Sequence, residues 1–246
     1  MTYCVGLRLQ GGLVMLADTR TNAGVDNIAT FCKLHVVEIP GERMICLATS
    51  GNLAITQAVV NLVSEGFESA DTGQMETLAK APSMFRAAQI VGEAVRKVYG
   101  VYGEAMRAQQ VGFDVALLLG GQIKGRSLRL FQIYSAGNFI EATEDTPFLQ
   151  IGEHKYGKPI LDRAARYDSD LYDAIKLVLV SMDSTLRSNL TVGLPVDLLV
   201  YKKNALAVDI RRRIGEDDPY FRKLREQWST ALREAYLAIP RPDWAS

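Results

Sequence analysis

The chain has 246 residues, of which 48% are hydrophobic and 23% are charged, and its 28 Lys and Arg residues balance 28 Asp and Glu residues. This length and apolar content suit one large globular domain or two small ones. The zero net charge predicts no nucleic-acid or membrane-surface partner, and no apolar run reaches the length of a membrane span. Because the composition shows no linker-like change, we predict a single domain over residues 1–246, with residues 212–246 as a C-terminal helical extension.

The N-terminus has no basic start followed by a long apolar stretch, so we predict no signal peptide. Cys4, Cys32 and Cys46 each occupy an apolar, strand-like setting and form no Cys-x-x-Cys pair. We therefore expect buried, reduced thiols in a cytoplasmic protein, with no metal site and no disulfide. The two histidines belong to no local signature that supports a Cys–His nucleophile.

The first fifty residues have the pattern of consecutive strands. Alternating apolar positions predict a half-buried strand over residues 4–9, and the glycine pair at 11–12 predicts a turn. The continuously apolar run 13–17 is typical of a strand that is covered on both faces. Two further strands are predicted over residues 33–39 and 44–49.

Helices and strands then follow in blocks. Ser50 or Asn52 is the predicted cap of a helix that runs to about Ser64, and a mixed segment with a loop follows over residues 67–83. Helical spacing of apolar residues predicts further helices over 88–106, 171–182 and 221–235, and strands are predicted over 114–119, 128–134, 148–151, 196–201 and 205–210. Strand blocks separated by helix pairs predict an α+β protein with two stacked sheets and helices outside them. The arginine run 211–213 is predicted to be a solvated charge pattern.

Thr2 is a candidate nucleophile. Removal of Met1, which the small side chain of Thr2 permits, would leave a free α-amine and a β-hydroxyl on the same residue. A hydroxyl needs a base before it attacks, and an α-amine with a pKa of roughly 7.7–8.0 is suited to accept its proton. On Thr2 alone, an ordinary non-catalytic N-terminus is the better interpretation.

Two charged residues give Thr2 a chemical setting. Asp18 ends a buried strand, where a carboxylate is costly unless it is paired. Lys33 opens the next long strand and could neutralise Asp18 while assisting proton transfer from Thr2. The alternative is a structural salt bridge, or two unrelated surface charges.

These residues resemble the proteasome β-subunits, which are N-terminal-nucleophile hydrolases with a four-layer α-β-β-α sandwich. The resemblance rests on a Thr start into a strand, on Ala17-Asp18-Thr19-Arg20, and on Lys33, and it extends over nearly the whole chain. The segments Tyr134–Ile140, Ile151–Pro159 and Ser188–Pro195 are most similar to the bacterial Anbu group, the ancestral β-subunits.

The resemblance implies a role for each matching residue. Thr2 would be the nucleophile, Asp18 would orient Lys33, and Lys33 would tune the hydroxyl and amine of Thr2. The Gly51 N–H, in the turn Thr49-Ser50-Gly51-Asn52, would stabilise the oxyanion. Ser135 and Asp183 would hold the amine and its water, and either Ser188 or Ser184 would be the supporting serine, because the usual Asp-x-x-Ser-Gly does not follow Asp183.

The same match implies substrate contacts. Thr21 and Asn22 would pair with an extended substrate backbone, and Thr49 and Leu53 would line the specificity pocket. The family implies no metal and no organic cofactor. It also implies homo-oligomers, either stacked rings or an open spiral, with the helix carrying Tyr99, Tyr102 and Met106 and the terminal helix carrying Trp228 as candidate contact surfaces. Core packing is the alternative use of these residues.

We therefore expect a threonine-type peptidase or amide hydrolase that acts on a peptide or a related amide. Two other functions remain open on the sequence. One is a non-catalytic assembly protein with a vestigial site, and the other is a non-peptidase amidase or acyl-transferring enzyme with the same nucleophile. The sequence does not determine the substrate, the number of subunits or whether an ATPase partner exists.

Overall fold

Two five-stranded antiparallel sheets lie at the centre of the computed structural model, which describes residues 2–22 and 28–245. The first sheet has the strand order β12-β1-β2-β13-β14, formed by β1 (Tyr3–Leu9), β2 (Gly12–Asp18), β12 (Phe148–Gly152), β13 (Val196–Lys202) and β14 (Ile210–Ile214). The second has the order β11-β10-β9-β6-β5, formed by β5 (Leu34–Ile39), β6 (Arg43–Gly51), β9 (Val115–Ile123), β10 (Arg129–Ile133) and β11 (Phe139–Glu141).

Helices cover the outer face of each sheet. Helices α1 (Leu53–Glu65) and α2 (Met84–Ala108) pack on the second sheet, and α3 (Lys158–Ala164) and α4 (Asp173–Ser188) pack on the first. Helix α5 (Pro219–Ala238) packs against α4. Two short hairpins pair β3 (Arg20–Asn22) with β4 (Ile28–Thr30) and β7 (Phe67–Glu68) with β8 (Met75–Glu76).

Three apolar cores hold these layers together. One core lies between the sheets and includes Met15, Cys46 and Leu199. A second joins α1 and α2 to the second sheet, and a third joins α3, α4 and the start of α5 to the first sheet. Burial of these apolar faces is the main stabilising contribution of the fold. The layer order is α-β-β-α, so the predicted four-layer α+β sandwich is confirmed.

The predictions for one strand and for one cysteine are wrong. Residues 205–209 of the predicted strand 205–210 are irregular and follow a turn at residues 203–204, and Asn204 and Leu206 have φ values of 67° and 50°. Strand β14 begins at Ile210 instead and carries the arginine run 211–213 on the exposed edge of the sheet. Cys32 is exposed, whereas Cys4 and Cys46 are buried as expected, and all three are free thiols.

The segment over residues 67–83 contains the β7–β8 hairpin and one 3₁₀ turn, Leu78–Lys80, in addition to loops. Helix α1 is capped by the side chain of Asn52, one of the two predicted caps, which accepts from the N–H groups of Ala54 and Ile55. Within the described ranges, no helix is long and apolar enough to cross a membrane.

Candidate active site

Three predicted residues meet at one end of the β-sandwich. The Lys33 ammonium nitrogen lies 2.8 Å from the Thr2 hydroxyl oxygen and 2.8 Å from an Asp18 carboxylate oxygen. Its third donor reaches the carbonyl of Arg20 at 2.6 Å. All three donors of the ammonium group are thereby used. Thr2, Asp18 and Lys33 are each buried, so these interactions are shielded from water.

The backbone fixes this arrangement. Asp18 ends β2, Lys33 immediately precedes β5, and Thr2 immediately precedes β1. One Asp18 oxygen accepts from the Tyr3 N–H at 3.0 Å, and the other accepts from the Gly193 N–H at 3.4 Å. Burial raises the pKa of Asp18 above its ordinary value, although the Lys33 ammonium and both backbone donors act in the opposite direction.

Gly51 lies at the end of β6, directly before the Asn52 cap of α1. Its φ is +111°, and an added Cβ would come within 2.3 Å of the Asp114 carbonyl oxygen. Both the backbone conformation and the lack of space therefore require glycine at this position.

The expected specificity residues have different surroundings. Thr49 is buried on β6, where its N–H donates to the Lys33 carbonyl at 3.0 Å. Leu53 is half-buried at the first position of α1. A cavity of about 410 Å³ lies beside the N-terminus of α1, but its walls come from other residues of α1, α2 and the segment after α2, including Ile55, Tyr102 and Met106.

The two residues expected to bind an extended substrate lie on β3. Thr21 donates from its hydroxyl to the Ala29 carbonyl of β4 at 3.2 Å. Asn22 donates from its side chain to the Thr191 carbonyl at 3.4 Å. Residues 23–27, between β3 and β4 in the sequence, lie outside the described residues, as does Met1.

Among the described residues, the other three expected site residues form no hydrogen bond or salt bridge with Thr2, Asp18 or Lys33. Ser135 is exposed in the turn between β10 and β11. Asp183 was expected to follow a helix, but it lies inside α4. There it pairs with Arg187 at 3.1 Å and with Arg225 of α5 at 2.6 Å. Ser188 is exposed at the last position of α4.

Two polar residues outside the predicted set, Glu153 and Asn189, are linked to Thr2 by hydrogen bonds. The Glu153 N–H donates to the Thr2 carbonyl at 2.6 Å, and the Glu153 carboxylate accepts from the Asn189 side-chain amide at 2.8 Å. Both side chains are buried. Neither residue is predictable from the sequence, because Glu153 follows a short strand and Asn189 follows α4, and only the pairing of β12 with β1 brings Glu153 to Thr2.

The pKa of Glu153 lies below its ordinary value. Burial acts to raise it, but the N–H groups of Lys155 and His154 and the Asn189 amide together outweigh burial. Glu153 is therefore a buried, ionised carboxylate within the same region as Asp18 and Lys33. The described residues contain no cluster of three or more His, Cys, Asp or Glu side chains that could hold a metal ion.

One protein family and several solved structures are similar to this chain. A family model described as "Proteasome subunit" matches residues 2–200. An Anbu (Gly-1) mutant from Hyphomicrobium sp. strain MC1 is 54% identical, with a TM-score of 0.90 over 99% of this chain and 100% of that one. Anbu (ancestral beta-subunit) from Yersinia bercovieri is 48% identical, with a TM-score of 0.89 over 98% of both chains.

A structure described as a helical assembly of the Anbu complex from Pseudomonas aeruginosa is 44% identical, with a TM-score of 0.90 over 99% of this chain and 100% of that one. No match was found among curated proteins. The family match covers most of the chain, and the structural matches cover nearly all of it. The chain therefore belongs to the proteasome subunit family and, within that family, to the Anbu group.

Proposed function

We propose that this protein is a threonine-type amide hydrolase that uses Thr2 as an N-terminal nucleophile after Met1 is removed. The observation that carries the proposal is the position of the Lys33 ammonium, 2.8 Å from both the Thr2 hydroxyl oxygen and an Asp18 carboxylate oxygen. A buried ammonium held by a buried carboxylate stabilises negative charge on the hydroxyl oxygen beside it, as a nucleophile requires.

The proposed reaction has two steps. In the first, the Thr2 α-amine takes the hydroxyl proton as the Thr2 oxygen attacks the amide carbon. The leaving amine then receives that proton, and an ester to Thr2 remains. In the second, water attacks the ester, the α-amine again carries the proton, and the carboxylic acid leaves with the Thr2 hydroxyl restored. Asp18 and Lys33 stay charged throughout.

We further propose that the Gly51 N–H stabilises the oxyanion, which is worth about 3 kcal/mol in comparable sites. Thr21 and Asn22 on β3 would align an extended peptide or amide substrate, and Thr49 and Leu53 would contact its side chain. In support, β3 is a short strand close to the site, since the Lys33 ammonium donates to the carbonyl of its first residue, Arg20.

Intact-mass spectrometry before and after treatment with a peptide epoxyketone tests this proposal. The purified chain should lack Met1 and should gain the mass of one inhibitor molecule, with the adduct mapped to Thr2. Thr2→Ala, which also permits removal of Met1, is the matched control and should gain no mass. A Met1-free, folded wild-type protein that forms no adduct would contradict the proposal and favour a non-catalytic assembly role.

We also propose that the protein self-associates, by analogy with the helical assembly of the Pseudomonas aeruginosa relative. Only Phe221 and Leu224 of α5 are buried, whereas Tyr236 and Leu237 near its end are 72% and 65% exposed. An apolar groove of about 490 Å³ lies beside α5 between α3 and α4, and Trp228 lines it. Exposed apolar side chains beside an apolar groove are suited to a protein–protein contact.

Light scattering tests self-association. The wild type should exceed the monomer mass at micromolar concentration, and the double change Tyr236→Ser and Leu237→Ser should lower the measured mass. Lys223→Ser, an exposed polar position on the same helix, is the control and should leave the mass unchanged. A wild-type monomer at micromolar concentration would overturn this part of the proposal.

A further inference from the structure

A buried carboxylate of unassigned role lies next to Thr2. Glu153 directly follows β12, which pairs with β1 so that Tyr3 lies opposite Gly152. Continuing this register by one residue sets Glu153 opposite Thr2, and the Glu153 N–H indeed donates to the Thr2 carbonyl at 2.6 Å. Opposite residues of an antiparallel pair project to the same side of the sheet. On this register the Glu153 side chain lies on the same side of the sheet as the Thr2 side chain.

Two neighbouring segments hold the Glu153 carboxylate in place. One oxygen accepts from the Lys155 N–H at 2.9 Å, and the other accepts from the Asn189 amide at 2.8 Å. Asn189 is itself fixed, because its side-chain oxygen accepts from both the N–H and the hydroxyl of Thr191. A carboxylate fixed in this way keeps its orientation whether or not a cation is present.

The charges around Thr2 do not balance. Asp18 and Glu153 contribute two buried carboxylates, and Lys33 contributes one buried ammonium. Among the described residues, Lys33 pairs with Asp18 and no cation forms a salt bridge with Glu153. The Arg20 guanidinium donates to the Leu190 carbonyl instead, and Lys155 and His154 on the Glu153 segment are exposed. Hydrogen bonds and the Lys155 charge keep Glu153 ionised without a salt-bridge partner, and removal of Met1 would place a positive α-ammonium on Thr2.

We propose that Glu153, oriented by Asn189, is the positioning residue that receives the α-ammonium of Thr2 once Met1 is removed. This inference rests on the proposed function, because both require a free amino group on Thr2. Its consequence is a site in which two charges act on that amine in opposite senses. The Lys33 ammonium favours the neutral amine, whereas the Glu153 carboxylate favours the protonated one. Glu153 therefore sets the pH at which the amine becomes able to accept the Thr2 proton.

Competitive labelling of the α-amine tests the proposal without any catalytic readout. Met1-free protein is treated with trace acetic anhydride at a series of pH values, and acetylation of the N-terminal peptide is measured by mass spectrometry. Glu153→Gln should move the midpoint of labelling to lower pH by about one unit relative to wild type. Glu216→Gln, at an exposed carboxylate on another segment, should leave the midpoint unchanged.

A second variant provides the test if Glu153→Gln does not fold. Asn189→Asp adds a negative charge beside Glu153 and should move the midpoint to higher pH. Equal midpoints in wild type and in the folded variants would overturn the proposal, and so would retention of Met1 in the wild type. Labelling and inhibitor binding are independent measurements. A shifted midpoint without an epoxyketone adduct would support the role of Glu153 and contradict the hydrolase. An adduct with an unshifted midpoint would support the hydrolase and contradict the role of Glu153.

Discussion

The Tyr3 hydroxyl lies 2.5 Å from the Ser181 hydroxyl and links the residue after the candidate nucleophile to helix α4. The Gln150 side-chain amide donates to the same Tyr3 oxygen at 2.7 Å, and the Ser181 hydroxyl donates to the Gly157 carbonyl at 3.0 Å. Tyr3 is fully buried, so these bonds are made away from water. The same residue uses its N–H to hold Asp18.

Tyr3→Phe should lower the free energy of unfolding by about 1–3 kcal/mol, because it keeps the ring but removes the buried hydroxyl that bonds Ser181 and leaves the half-buried Gln150 amide without its acceptor. Urea denaturation should show a lower midpoint with an unchanged slope. Tyr172→Phe removes the hydrogen bond from the exposed Tyr172 to Asp209 and is the control. It should change the midpoint far less, and equal effects of both changes would contradict the importance of burial.

Lys33→Met should destabilise the protein by about 3–5 kcal/mol at neutral pH, because it leaves Asp18 buried without its cation. Without the ammonium, burial raises the pKa of folded Asp18 further above its unfolded value of about 3.9. The folded variant then binds a proton more readily than the unfolded chain, so its stability decreases as the pH rises from about 4 through that raised pKa.

Urea denaturation of Lys33→Met at several pH values from 5 to 8 measures this trend against the wild type. The double variant Lys33→Met with Asp18→Asn has no buried charge at this position and is the matched control. Its difference from wild type should depend less on pH. A single variant whose loss of stability is constant over this range would show that Asp18 stays ionised without Lys33.

Gly51→Ala should reduce the free energy of unfolding by roughly 3 kcal/mol or more, because its Cβ would overlap the Asp114 backbone in addition to requiring a positive φ. Gly41→Ala separates the two effects, since Gly41 has a φ of 76° with no atom within 4 Å of the added Cβ. This control should cost about 1–2 kcal/mol. Similar losses in thermal or urea denaturation would indicate that the backbone near Asp114 moves to accommodate the methyl group.

Asp218→Ala should destabilise the start of α5 by about 1 kcal/mol, because the Asp218 carboxylate accepts from the Phe221 N–H at 2.9 Å and from Arg212 at 2.7 Å. Burial acts to raise the pKa of Asp218, but these donors outweigh it and hold the pKa below its ordinary value. A lowered folded pKa stabilises the protein above the unfolded pKa of about 3.9, and this contribution is lost as the pH falls through the folded pKa.

The stability difference between Asp218→Ala and wild type should therefore be present at pH 7 and decrease towards pH 3 in urea denaturation. Asp217→Ala changes the preceding, exposed carboxylate and is the control, with little expected effect at either pH. An effect of Asp218→Ala that persists unchanged at the lower pH would contradict a role for the ionised carboxylate.

The parts of the site that follow from strand patterns were predictable. Thr2, Asp18 and Lys33 each lie at one end of a clearly patterned strand. Two stacked sheets can bring such strand ends together. Glu153 and Asn189 were not predictable in this way. Their relation to Thr2 depends on the β1–β12 register and on a loop after α4, which no local periodicity records.

The errors also have local causes. The sequence predicts a helix that ends at residue 182, but the apolar spacing of Ala174, Val178 and Met182 continues to Leu186, so α4 extends past Asp183. Asp183 consequently faces α5 and pairs with Arg225. The predicted strand over 205–210 is wrong because positive φ values at Asn204 and Leu206 interrupt an extended backbone, which the apolar residues around them do not indicate.

The exposed thiol of Cys32 gives this chain a natural attachment point for probes. Burial raises the pKa values of Cys4 and Cys46, so these two thiols remain protonated and shielded in the folded protein. A maleimide fluorophore added to the unmodified protein should therefore attach at Cys32, next to Lys33 in the sequence. Changes at the candidate active site can then be followed by fluorescence in the native sequence, without removing any other cysteine.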